Sequence, residues 1–299
     1  MLKSLFRRVV AAVGLGSVLL AAPAAAKVPQ TARPALWEVS DADTTIYLFG
    51  TIHLLPEHLQ WRTPTFDQAL AKSQELVVET IVDQQHPEAI QAAEFSLGFS
   101  KGLPPIADRV PPAKVAKLRS LIASTGVPEK MFDQMDTWLA AIQLLGVQFR
   151  SMGLKGSDGP EEILRQQFLA QHKPIGQLET NVEQFGYFDR LPEKAQRSLL
   201  EGALDANGSQ DKEYDGMLAS WSRGDVKQIA NTFNHDLADS PELRHSLLEQ
   251  RNANWAKWIE QRMAQPGTII VAVGAGHLAG KSSVISLLQS DGYRVRRLQ

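Results

Sequence analysis

The chain has 299 residues, 43% of them hydrophobic, a formal net charge of −2 and no cysteine. That length and apolar share support a sizeable core, in one large domain or two small ones. The near-neutral charge leaves no electrostatic footprint for nucleic acid, and the lack of cysteine excludes disulfides, thiol chemistry and lipoprotein attachment.

The first 26 residues read as a secretory signal. Lys3, Arg7 and Arg8 form a basic start, 9–20 is an apolar stretch, and Ala24-Ala25-Ala26 is an A-x-A cleavage site. The apolar stretch is shorter than the roughly 20 residues of a spanning helix. Cleavage after Ala26 would remove three basic and no acidic residues, moving the net charge from −2 to −5. This reading predicts a periplasmic or secreted protein with no integral membrane segment after signal removal, folded as a single domain over 27–299.

After a short linker, 27–34, two β-prone runs (36–39 and 45–49) flank Asp41-Ala42-Asp43, a hairpin turn signal. A loop covers 55–62, and Thr63-Pro64 starts a helix running to about Lys72. ELVVE, 75–79, predicts a third strand, parallel to the second across this strand–helix–strand unit. Helical spacing then fills 87–99, 112–125, 128–149 and 160–171, with a proline-rich connection over 103–112. PIGQL, 174–178, is a short strand, followed at Thr180-Asn181-Val182-Glu183 by a capping box. Helices return over 192–264, the last opened by Ser240-Pro241. The most apolar strand, 268–273, a helix over 281–289 and a strand over 293–298 complete the chain. The order predicts an α/β fold: a mostly parallel central sheet with an N-terminal hairpin and two helical insertions, at about 86–172 and 192–264.

Two of these strands share an ending. The run 44–49 stops at Gly50-Thr51-Ile52-His53, and 268–273 stops at Gly274-Ala275-Gly276-His277. A buried strand that breaks at Gly and then presents His sets an imidazole at the end of a sheet. Sites in open parallel sheets form at the C-terminal strand ends. Glu79 and Glu179 stand at two more such ends. Singly, a strand-end His is a structural residue more often than a ligand, and a strand-end Glu commonly caps the next helix. Together, His53, His277, Glu79 and Glu179 form a plausible ligand set for a divalent transition metal.

Helix 241–264 adds a fifth feature. Its apolar stripe is Leu247, Leu248, Trp255, Trp258, Ile259 and Met263, and Arg251 falls inside it, with Asn252 four residues after Leu248. An arginine on a core-facing stripe needs an anionic partner, and Glu79 and Glu179 are candidates; the competing reading is a guanidinium reaching the rim. Asp158, in Gly156-Ser157-Asp158-Gly159-Pro160, reads as a helix N-cap. His58, His86, His172, His235 and His245 lack a strand-end context and are assigned surface or packing roles. Gly274-x-Gly276 is not a dinucleotide fingerprint, since no third glycine is in place and no acid closes a following strand.

This set resembles the TraB/PrgY/GumN family, which also contains the Tiki metalloproteases. The matching elements are LFGTIHLLP with His53, LVVET with Glu79, KPIGQLET with Glu179, RNANWAKWI with Arg251 and Asn252, and VAVGAGHLAG with His277, and the Gly156–Asp158 stretch fits a GxD-type element. The resemblance runs over residues 36–298. It implies a fold like that of erythromycin esterase and the ChaN haem-binding proteins. For the Tiki members it implies metal-dependent, protease-like activity with manganese or cobalt, and much less for bacterial members; the expectation for this chain is a divalent transition metal, manganese, cobalt or zinc, and a peptide or protein substrate. No His-Glu-x-x-His helix is present. In that reading His53, His277 and one or both glutamates hold the metal, the other glutamate serves as base, and Arg251 and Asn252 complete the catalytic set. The alternatives are a protein that sequesters a peptide or haem without chemistry, and an accessory factor in exopolysaccharide or signalling pathways.

Overall fold

The computed structural model of the protein describes residues 31–83, 85–204, 209–236 and 240–299. The expected signal peptide and the side chain of His235 lie outside them. Among the described residues no helix is long and apolar enough to cross a membrane.

Six strands form one sheet in the order β4-β3-β5-β2-β1-β6. They are β1 (Leu36–Ser40), β2 (Thr44–Thr51), β3 (Glu75–Val78), β4 (Ile175–Gln177), β5 (Gly267–Gly274) and β6 (Val295–Arg297). The pairs β2–β5, β3–β5 and β3–β4 are parallel, while β1 runs antiparallel to both β2 and β6. The β1–β2 turn is closed by Asp41, whose Oδ1 accepts from the backbone of Asp43 and Thr44 at 3.1 and 2.8 Å.

The central strands β2, β3 and β5 are buried on both faces of the sheet. Tyr47, Phe49, Leu76, Val78, Ile270 and Ala272 join the larger core under the helical insertions. Their alternates Ile46, Leu48, Val77, Ile269, Val271 and Val273 pack with Trp255, Ile259 and Leu288 from helices Gln250–Met263 and Val284–Ser290. Period-two alternation with apolar residues on both sides produces the continuous apolar runs seen in β2 and β5.

Local capping follows the sequence. Thr63 Oγ1 accepts from Phe66 N at 3.1 Å and opens helix Pro64–Lys72. Thr180 and Glu183 form a reciprocal capping box on helix Asn181–Asp189. Three expectations need correction. The helix expected over 128–149 is two, Glu129–Gln134 and Thr137–Ser151, broken at Met135. Buried Arg109 causes the break: its guanidinium donates to Asp133 O at 2.7 Å and Met135 O at 2.6 Å, while Asp136 N donates to Gly98 O at 2.7 Å. These groups have found tertiary partners in place of intrahelical ones. The helix after Ser240 contains a wide π turn, His245–Glu249, before its regular part. Asp158 is not an N-cap; it ends a short 3-10 turn, Gly156–Asp158, and Gly159 caps helix Pro160–Ala170. His58, His86, His172 and His245 are all exposed.

Candidate functional site

Register decides what meets at the C-terminal end of the parallel strands. Thr51 pairs with Gly274, and Val78 pairs with both Ala272 and Gln177. Past these rungs Glu179 N donates to Glu79 O at 2.9 Å, so the two glutamates leave neighbouring strands side by side. The turn Ala275–Leu278 then carries His277 over the edge, and the loop after Thr51 carries His53.

Arg251 sits among them, 2% exposed. Its NH2 donates to Glu79 Oε2 at 2.8 Å and its Nε contacts both oxygens of Glu179 at 3.0 Å. Trp255 Nε1 donates to Glu179 Oε1 at 2.9 Å, and the guanidinium lies 4.7 Å over the Trp255 ring. Glu79 Oε1 also accepts from Gly274 N at 2.6 Å. Glu79 is deeply buried, which alone would raise its carboxyl. Arg251, the two imidazoles and the Gly274 amide outweigh that and hold it down at about 2.

His277 is fixed by Asn252. Asn252 Nδ2 donates to Ser282 O at 2.7 Å, which turns its Oδ1 toward His277 Nδ1 at 2.6 Å. The Nδ1–H tautomer follows, with the Nε2 lone pair facing Arg251 NH1 at 3.2 Å. Burial, then the Arg251 charge, lowers the imidazole to about 3, so His277 is neutral through the physiological range.

His53 has a different partner, one the sequence reading missed. Its Nδ1 lies 2.5 Å from Glu161 Oε1, which also accepts from Thr51 Oγ1. Glu161 is in the first turn of helix Pro160–Ala170. In sequence it looks like any acid favoured by a helix N-terminus, and nothing local links it to His53. Burial works against a charged His53, but Glu161 and then Glu79 outweigh it and the pKa is raised. The opposite ring atom, His53 Nε2, is buried with no hydrogen-bond partner and lies 3.9 Å from Glu79 Oε1. Glu161 Oε2 is likewise buried and unpartnered.

The structure therefore brings His53, Glu79, Glu179, Arg251, Asn252 and His277 together and adds Glu161. Among the described residues no group of three His, Asp or Glu side chains has an arrangement that could hold a metal ion. The donor types and the charge nevertheless fit one. A β-carbon on Gly274 would stand 3.1 Å from Glu79 Oε1, 3.5 Å from His53 Nε2 and 3.6 Å from His277 Cδ2, so the missing side chain leaves a small space that these groups line. One guanidinium faces three carboxylates, and a protonated His53 offsets one of them, which leaves an excess of one negative charge with the carboxylates ionised. Buried charge in excess calls for a cation. His53 Nε2 is free to bind it and Glu79 Oε1 carries only the Gly274 N bond, whereas His277 Nε2 is engaged by Arg251 and Glu179 is fully committed to Arg251 and Trp255.

Comparison with known proteins gives one family: the TraB/PrgY/gumN family model matches residues 35–297. Two curated relatives, both called "Uncharacterized protein YbaP", come from Escherichia coli strain K12 and Shigella flexneri. Each is 27% identical over 186 residues, 61% of this chain and 67% of the relative. No solved structure matches.

Proposed function

The chain belongs to the TraB/PrgY/gumN family, and on that premise we propose that it is an exported, periplasmic metal-dependent hydrolase acting on peptides or proteins. The observation that carries the proposal is His53 Nε2: a buried ring nitrogen without a partner, beside Glu79 Oε1, in a cluster of three carboxylates around one guanidinium. The resemblance of the motifs to the Tiki metalloproteases supports the choice of reaction.

His53 Nε2 and Glu79 Oε1 would hold a divalent ion such as manganese, cobalt or zinc, and His277 Nε2 would join them once Arg251 NH1 releases it. When bound, such an ion lowers the pKa of a coordinated water toward neutrality and polarises a carbonyl. Glu161 holds the His53 proton on Nδ1 and so keeps Nε2 as the lone-pair atom, the usual carboxylate–histidine support of a metal ligand. Asn252 does the same for His277. Glu161 Oε2 is the free carboxylate oxygen of the group and is the better candidate to take a proton, because both oxygens of Glu179 are occupied. Arg251 neutralises the paired glutamates and supplies a fixed positive charge for a developing oxyanion.

Capture of a peptide without chemistry is the second reading. The Arg251 clasp favours it, since Glu79, Glu179 and His277 Nε2 already have partners. One experiment separates the two. Protein purified from the periplasm is assayed for bound metal and tested on a peptide library with and without chelator. The hydrolase reading expects a stoichiometric ion and chelator-sensitive cleavage, both lost in His53→Ala. Peptide binding without cleavage, unaffected by chelator, would establish capture instead.

A further inference from the structure

The β2–β5 ladder fixes the backbone as far as Thr51 and Gly274. His53 lies beyond it, so its position needs support from elsewhere. Helix Ser209–Ser222 provides it. Tyr214 Oη donates to Leu54 O at 2.8 Å and Trp221 Nε1 donates to Gly50 O at 2.7 Å. Those two carbonyls bracket His53. Tyr214 and Trp221 are seven residues apart, on one helix face and about 10 Å apart along the axis, and both are buried.

The next helix, Val226–Asp236, meets the other Gly-x-x-His turn by packing. The Phe233 ring lies against Gly276 so closely that a β-carbon there would come within 2.5 Å of it. Ala230, one turn earlier, is 3.4 Å from where a β-carbon on Gly280 would be. The two helices pack on each other. Their connection is fastened to the sheet edge: Arg33 N donates to Ser222 O at 2.7 Å, and the Arg297 guanidinium donates to Gly224 O.

We infer that the helical hairpin 209–236 is a clamp whose two arms set the separation of His53 and His277, with Tyr214, Trp221 and Phe233 as positioning residues. They act through the backbone of the turns: Tyr214 and Trp221 by hydrogen bonds to the first, Phe233 by close packing on the second. The base at Ser222–Gly224 holds the arms as one body, so loosening one arm loosens both histidine turns. This deepens the proposed function by naming what fixes the donor spacing, and it rests on that reading only where ion binding is measured.

Amide hydrogen exchange on the whole mature chain tests the clamp, with wild type compared to Tyr214→Phe, Phe233→Leu and the double variant. Tyr214→Phe deletes one hydroxyl and keeps the ring. Exchange at 52–55 should rise about fivefold, as expected for one hydrogen bond. Exchange at 275–278 should rise with it, while the β5 amides stay protected. The double variant should fall short of the combined single effects, since coupled residues are non-additive. Trp221→Phe, which removes the other donor, should repeat the pattern. In parallel, the Kd for Mn2+ should rise about tenfold, the loss typical of disturbed support around a metal ligand, with little change in thermal midpoint. A Tyr214→Phe variant that leaves 275–278 silent, together with a Phe233→Leu variant that leaves 52–55 silent, would overturn the clamp. If wild type takes up no Mn2+, the hydrolase reading fails, and the exchange data alone uphold or overturn the clamp.

Discussion

Glu161 Oε1 stands 2.5 Å from His53 Nδ1, and this contact ties the first turn of helix Pro160–Ala170 to the loop after β2. Glu161→Gln keeps the shape and removes the charge. Mn2+ affinity should fall about 10–100-fold, the usual effect of losing a carboxylate behind a ligating histidine. Titration calorimetry measures this, and a thermal midpoint close to wild type separates it from unfolding. Unchanged affinity would make Glu161 a helix-dipole residue only.

Arg251 is the buried counter-charge of Glu79 and Glu179. Arg251→Met leaves two buried carboxylates unpaired and should cost about 3–5 kcal/mol in urea unfolding. Arg251→Lys should lose less, because the ammonium keeps the charge but not the planar fork that reaches both partners. Adding Glu179→Gln to Arg251→Met should recover part of the loss. Full stability in Arg251→Met would show that the pairing contributes little.

Gly274 has φ −51° and ψ 132°, a conformation open to alanine. Its β-carbon would enter the space beside Glu79 Oε1 and His53 Nε2. Gly274→Ala should therefore fold, keep most of its stability, and lose Mn2+ binding and hydrolysis together. Normal ion binding in this variant would move the ion away from that space.

The two histidines should behave as one unit toward the ion. His53→Ala or His277→Ala alone should abolish bound metal, and the double variant should be no worse. Chelator should lower the melting temperature of wild type but not of His53→Ala. An ion present at 100 times its Kd adds about 2.7 kcal/mol to the folded state. Additive losses and a chelator-insensitive melting curve would fit two structural histidines instead.

A pH effect is expected away from the site. Burial pushes the Glu94 carboxyl up to about 7 from a usual 4.5, and its Oε1 has no partner. Below the unfolded value both states are protonated and the site costs nothing. As pH rises toward 7 the unfolded chain ionises first, so stability falls across that window and levels off above it. Glu94→Gln should flatten this slope and be the more stable protein at pH 8. Parallel pH–stability curves for variant and wild type would contradict the assignment.

What the sequence determined by itself was local. The Asp41 turn, the Thr63-Pro64 start, the Thr180–Glu183 capping box and the apolar runs of β2 and β5 depend on residues a few positions apart, and they stand where those residues put them. The place of Arg251 in an apolar stripe already required an anionic partner. Tertiary structure decided everything that depends on which distant atom arrives. Glu161 at His53, the carbonyl claims of Arg109 that split one helix into two, and the Tyr214 and Trp221 bonds around His53 each join segments far apart in the chain. A first-turn glutamate, a buried arginine or a helix-face tyrosine satisfies the same local rules whatever it touches. Only the register of the sheet, and the helices folded back onto its edge, select the contact.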